Sequence, residues 1–249
     1  MDEFFCRYKK LILESVSHKN KEIMTYYVSF INLGLKAVKS DKVTPEIKVK
    51  KFDLLYRQIF KRCAIKDNII SKLQESFITD NISLSLLSDM VKSFKDLVLG
   101  EQYKSWNRFV YSSQLFLSPL VRIIIVLNDL NMSVYIPFMS MMMCFLLVEN
   151  YDVNKIEELQ NLSGTKYSNL YAEKLSGFLR EGQVLPQIVK NKIFRFKALC
   201  MLGILNVMFE KKSKKERMIL SNIDLGKILL YDSVRWLFTR VKTIKIKGV

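Results

Sequence analysis

A single histidine stands in this chain of 249 residues, and its scarcity removes most of the common catalytic arrangements. A Ser-His-Asp or Cys-His site would have to use His18, and nothing near it in sequence suggests an orienting acid held on a rigid element. Glycine and proline are almost as scarce, at 8 and 4. The glycine-rich loops that cradle phosphates are absent, since neither G-x-x-x-x-G-K-[ST] nor G-x-G-x-x-G occurs and Gly226-Lys227 has no upstream glycine at the required spacing. Metal chemistry has no visible apparatus either. There is no H-E-x-x-H, and no pair of aspartates three or four apart of the kind that holds magnesium against a diphosphate. Glu157 and Glu158 are adjacent, so on a helix they diverge by about 100° and do not share one ion. Cys6, Cys63, Cys144 and Cys200 lie far apart without ligand spacing, which argues against a disulfide framework or zinc site and for a reducing compartment. No catalytic residue, no metal and no cofactor is expected.

What the chain has instead is helical periodicity. In 52-FDLLYRQIFKRC-63, Phe52, Leu55, Tyr56, Ile59, Phe60 and Cys63 fall on one face, with Arg57, Lys61 and Arg62 off it. The start of that helix is written just upstream. Thr44 can cap, Pro45 suits a first turn that has no use for its missing N–H, and Glu46 favours the positive end of the dipole. Similar patterns predict helices over 3–17, 20–39, 68–78, 83–99, 102–117, 119–131, 134–149, 153–162, 167–180, 186–210 and 223–240. The tail 241–249 alternates apolar and basic residues, as a short strand or an extended arm would. The expected fold is all-α, a multi-helix bundle with a long apolar central segment. A polar, acidic stretch at 150–166 suggests a soft boundary between a helical bundle over 1–150 and a C-terminal helical subdomain over 151–249.

Two features of the middle have competing readings. Nineteen uncharged residues lie between Asp129 and Glu149, long enough to cross a bilayer. Asn131, two serines and Pro137 interrupt the run, so a core helix fits it better than a membrane span. The methionine run 139-MSMMMC-144 suits core filling before it suits a pliable docking surface. The N-terminus, MDEFFCRYKK, begins acidic and lacks the long apolar stretch of a secretory signal.

Charge is the strongest remaining feature. The net charge of +16 is segregated: residues 1–72 carry 16 basic and 8 acidic side chains, residues 73–189 carry 9 and 12, and residues 190–249 carry 15 and 4. Within the basic ends the cations cluster as Lys9 and Lys10; His18, Lys19 and Lys21 with Asn20, beside Tyr26 and Tyr27; Lys48, Lys50, Lys51, Arg57, Lys61 and Arg62; and Lys211, Lys212, Lys214, Lys215 and Arg217. Such clusters neutralise phosphates and can support binding to irregular RNA. They carry polyanion affinity, not sequence specificity.

The stretch His18-Lys19-Asn20-Lys21, closing a short N-terminal helix and followed by an aromatic helix, resembles the protein subunit specific to RNase MRP and its animal relatives, the nucleolus and neural progenitor proteins. That family's helical domain opens with a basic pattern of the R-N-K-N-Q-H-R type. The later order is similar too, with a long aromatic-to-aliphatic segment at 106-WNRFVYSSQLFLSPLVRIIIVLNDL-130. After Lys21 this chain continues Glu22-Ile23-Met24, where the family has Gln-His-Arg. The resemblance covers about residues 5–150. It implies a non-catalytic helical subunit that binds structured RNA beside other protein subunits of a ribonucleoprotein endoribonuclease, processing ribosomal RNA precursors in the nucleus or nucleolus. By position, only His18, Lys19, Asn20 and Lys21 carry over. Two other readings stand beside it: a helical protein interaction scaffold without nucleic acid, and a degenerate helical prenyl-synthase-like protein lacking the magnesium-binding aspartates.

Overall fold

A computed structural model describes residues 9, 12–61, 68–100, 106–150 and 167–213. Among them there is helix and no strand, so the chain is all-α. The helices are α1 (Lys21–Lys39), α2 (Pro45–Lys61), α3 (Asn68–Thr79), α4 (Ser85–Leu99), α5 (Trp106–Leu127), α6 (Tyr135–Asn150), α7 (Tyr167–Gly182), α8 (Leu185–Ile188) and α9 (Lys192–Ser213). Short 3₁₀ turns at His18–Asn20 and Met132–Val134 precede α1 and α6. The helices expected at 153–162 and 223–240, the tail at 241–249 and the polar stretch at 151–166 lie outside the described residues. Contacts divide the chain into two compact units, 1–129 and 130–249.

In the first unit, α1, α2 and α4 meet at one ring. Phe94 of α4 lies edge-on to Phe30 of α1 at 5.8 Å and tilted against Phe52 of α2 at 5.5 Å. A Cβ on Gly34 would collide with this ring, so glycine is what lets α1 lie against it. Burying a phenylalanine contributes about 1.5–3 kcal/mol, and Phe30, Phe77 and Phe94 are all fully enclosed. Tyr27 stacks on Phe77 of α3 at 6.2 Å, inside the core. Burial, with Asp89 nearby, pushes its phenol far above the usual range. Antiparallel α4 and α5 are held by polar contacts at both ends. Arg108 and Ser112 donate to the Asp96 carboxylate, and Arg122 lies 3.6 Å from Asp89.

Periodicity predicts two helices on either side of Pro119, yet α5 runs through it unbroken. A proline inside a helix removes one backbone hydrogen bond and costs about 3 kcal/mol. Here Phe116, Leu117, Leu120 and Val121 flank it fully buried, and the Asp96 and Asp89 contacts grip α4 on both sides of the proline. Packing therefore outweighs the local preference to break. Gly100 ends α4 in the left-handed conformation, the usual helix stop.

The second unit is organised around α6, where every residue from Phe138 to Leu147 is buried. This includes the methionine run, which fills the core as its composition predicts. On α7, Gly182 lies against the Met141 backbone, and Ser140 donates to the Glu181 carboxylate. On α9, Phe194 meets Phe138 edge-on at 5.5 Å. Cys144 is enclosed among these helices, and burial raises its thiol well above the ordinary value, leaving it inert. The single helix expected over 186–210 is divided at 189–191. Asn191 causes the break by accepting hydrogen bonds from the backbone N–H of Ile193 and Phe194, both at 3.1 Å, which starts α9 afresh. Among the described residues, one helix is long and apolar enough to cross a membrane by length and composition, Asn107–Leu127, and 61% of that window is buried inside the fold.

Candidate nucleic-acid interface

Two basic clusters of the first unit occupy different settings. At the N-terminal cluster the chain is pinned to the C-terminal end of α5. Asn20 donates through its side-chain amide to the Leu127 carbonyl, and Asn128 reaches back to the Ser15 carbonyl at 3.1 Å and to the Ile124 carbonyl at 2.8 Å. These contacts satisfy carbonyls that a helix end would otherwise leave open. Asn20 thus acts here as a clamp within the fold. Lys21 pairs with Glu14 at 3.1 Å, while Glu22 accepts from the Tyr26 hydroxyl at 3.0 Å. His18 and Lys19 are exposed in the 3₁₀ turn, and the imidazole makes no hydrogen bond or ion pair among the described residues. The tyrosine pair beside this cluster is not a surface platform. Tyr27 is core, and the half-buried Tyr26 ring lies under Lys72, 5.8 Å away.

The second cluster lies on α2. Its start follows the sequence closely: the helix begins at Pro45, and Glu46, drawing hydrogen bonds from its own backbone N–H and the Thr44 hydroxyl, has its carboxyl held below the usual range. Lys48 does not join the outward charge. It donates to the Val38 carbonyl at 2.7 Å, tying the start of α2 to the end of α1. Phe52 and Ile59 face inward, and Gln74 of α3 donates to the Ile59 carbonyl at 3.1 Å. The opposite face presents Lys50, Lys51 and Arg57 to solvent. Among the described residues no carboxylate forms an ion pair with Lys51 or Arg57, and Lys50 has only Glu46 a turn away. Neighbouring cations on α4 are engaged instead: Lys95 with Asp53 at 2.5 Å and Lys92 with Asp89 at 3.0 Å.

This helix also carries a departure from its pattern. Phe60 belongs by periodicity to the buried face, yet it is 51% exposed. The apolar arc of α2 is broad, and its neighbours cover Phe52 and Ile59 but leave its margin open. The Phe60 ring instead meets Tyr56 edge-on at 5.6 Å, and Lys92 sits 5.7 Å from the Tyr56 centroid. Leu54 and Ile47 are exposed as well, lying between the basic residues. Sequence reasoning names the cations but misses Phe60, whose only signal is that Phe52, Leu55, Tyr56, Ile59 and Phe60 make an arc too wide for one packing contact.

Of the other candidate residues, Lys9 is helical and exposed. Lys61 ends α2, and Lys211 and Lys212 lie in the last turn of α9, with their side chains outside the description. Lys10, Arg62, Lys214, Lys215 and Arg217 lie outside the described residues altogether. Among the described residues, no group of three or more His, Cys, Asp or Glu side chains could hold a metal ion. Comparison with family models, with curated proteins and with solved structures finds no match to this chain.

Proposed function

We propose that this chain is a non-catalytic, helical RNA-binding subunit of a ribonucleoprotein. The observation that carries the reading is the solvent face of α2, where Lys50, Lys51 and Arg57 stand exposed and Lys51 and Arg57 have no carboxylate partner among the described residues. Exposed cations on a rigid, packed helix suit a polyanion, because binding releases condensed counterions. The net charge of +16 adds a long-range attraction toward the same class of partner. An RNase MRP-like particle acting on ribosomal RNA precursors, in the nucleus or nucleolus and beside other protein subunits, is the specific form that the His18–Lys21 resemblance supports.

The experiment is purification of the full chain from its own cells, with sequencing of the co-purifying RNA and identification of bound proteins. Enrichment of one structured noncoding RNA together with a fixed set of proteins is the expected result. Recovery of proteins alone would refute the reading and favour the interaction scaffold. That second reading has one observation of its own: in the second unit the large aliphatic side chains of Ile136 and Ile193 are 64% and 69% exposed.

A further inference from the structure

Phosphate attraction alone does not explain what stands beside Arg57. Phe60 lies one turn further along α2, on a neighbouring part of the helix surface, and its ring is half open to solvent. It is not loose. Tyr56 supports it edge-on, and Tyr56 is itself half-buried beneath Lys92, which Asp89 tethers. An aromatic face is therefore held in one orientation beside the exposed cations Arg57 and Lys50.

We propose that this part of α2 takes an unpaired segment of RNA, with a base stacked on Phe60 and its flanking phosphates on Arg57 and Lys50. The proposal rests on the RNA reading above and narrows it to one class of nucleotide. Two features favour an unpaired strand over a duplex, and a third argues against a membrane surface. A duplex hides its base faces in the stack and offers phosphates and 2′-hydroxyls, leaving an exposed ring without a role, whereas an unpaired base presents its π-face to any aromatic platform. From Lys50 to Arg57 the helix advances only about 10 Å, a length suited to a few nucleotides and short of the span that duplex-binding domains cover. Finally, Ile47 and Leu54 are interleaved with Lys50, Lys51 and Arg57 on one face. An interfacial membrane helix instead segregates its apolar residues from its basic ones.

The test uses the full chain in fluorescence anisotropy titrations against oligouridine and against a blunt RNA duplex with the same number of phosphates, over a range of salt. Oligouridine should bind more tightly. Phe60→Ala should weaken it by roughly five- to a hundred-fold, the loss of one stacked base, while leaving the duplex affinity unchanged. Phe60→Leu, which keeps the apolar contact with Tyr56 and removes the ring, should behave as alanine does, and Phe60→Trp should restore binding. Thermal melts of each variant separate lost binding from lost fold. Equal affinity for strand and duplex, untouched by Phe60→Ala, would overturn the stacking inference and leave the RNA reading in place. Absence of salt-dependent binding to either RNA would remove the RNA reading itself. Binding to anionic phospholipid vesicles that oligouridine does not displace would overturn both in favour of a membrane surface.

Discussion

The stretches 18–21 and 50–57 look alike in sequence, each a knot of cations beside aromatic residues, and the fold treats them in opposite ways. In the first, Asn20 fastens the chain to the Leu127 carbonyl, Lys21 is paired with Glu14, and the following Tyr27 is buried in the core. In the second, α2 turns Phe52 and Ile59 inward and leaves Lys50, Lys51 and Arg57 outside, with a supported aromatic ring one turn beyond Arg57. Counting charges does not separate the two cases. What separates them is whether an acidic side chain or a helix end lies within reach, since a cation already paired gives little new energy to a ligand, while a free one contributes fully to counterion release.

The largest expected effect tests that contrast directly. Replacing Lys50, Lys51 and Arg57 together with alanine should lower the slope of log affinity against log salt by about 2, which corresponds to roughly a hundred-fold weaker RNA binding at 0.1 M salt. The pair Lys19→Ala and Lys21→Ala should lower the slope by less than about 1, because one of its cations is engaged with Glu14. Anisotropy titrations at several salt concentrations read both. Equal slopes for the two variants would erase the distinction.

Next in size is Gly34→Ala, which places a methyl group against the Phe94 ring at the junction of α1, α2 and α4. Crowding a packed core costs about 1–3 kcal/mol, to be read as a fall in stability in a denaturant melt. Because that junction seats α2, RNA affinity should fall only under conditions where the variant begins to unfold. A loss of affinity at full fold would mean that Gly34 acts on the interface by another route.

Asn20→Ala should come below that, at about 1 kcal/mol of stability, for the lost hydrogen bond to the Leu127 carbonyl. RNA affinity should stay within about two-fold of the parent, a difference of about 0.4 kcal/mol. A ten-fold loss of affinity with stability intact would return Asn20 to the interface that its place in the His18–Lys21 stretch suggests.

The helical fold was legible because its main determinants are local: period, capping residues and the scarcity of glycine and proline. The start of α2 at Pro45, with Thr44 and Glu46 around it, is one such case. What escaped depended on neighbours. Pro119 reads as a break until α4 is present to hold both halves of α5, and Asn191 reads as an ordinary polar residue until its side chain accepts the first N–H groups of α9. For the candidate site, the cations of α2 were visible in the sequence and the exposed ring was not. Phe60 alternates with buried residues at helical spacing, and only the limited reach of the surrounding helices decides that its part of the arc stays open. Asn20 shows the converse, a residue marked by its neighbours in sequence and engaged, in the fold, by a carbonyl more than 100 positions away.

The smallest effect is the sharpest probe of the comparison, because it tries to turn one region into the other. Glu14→Gln removes the carboxylate that faces Lys21 and leaves the lysine in place. Both partners are substantially exposed, so the stability change should stay within about 1 kcal/mol. RNA binding should change in the opposite sense, with the salt slope steepening by up to about 0.7 as one more cation becomes available to a phosphate. That gain should vanish when Lys21→Ala is added, since the liberated charge would then be absent, and a double-mutant cycle over the two positions measures the dependence. If the slope does not move, Lys21 is turned away from the bound strand.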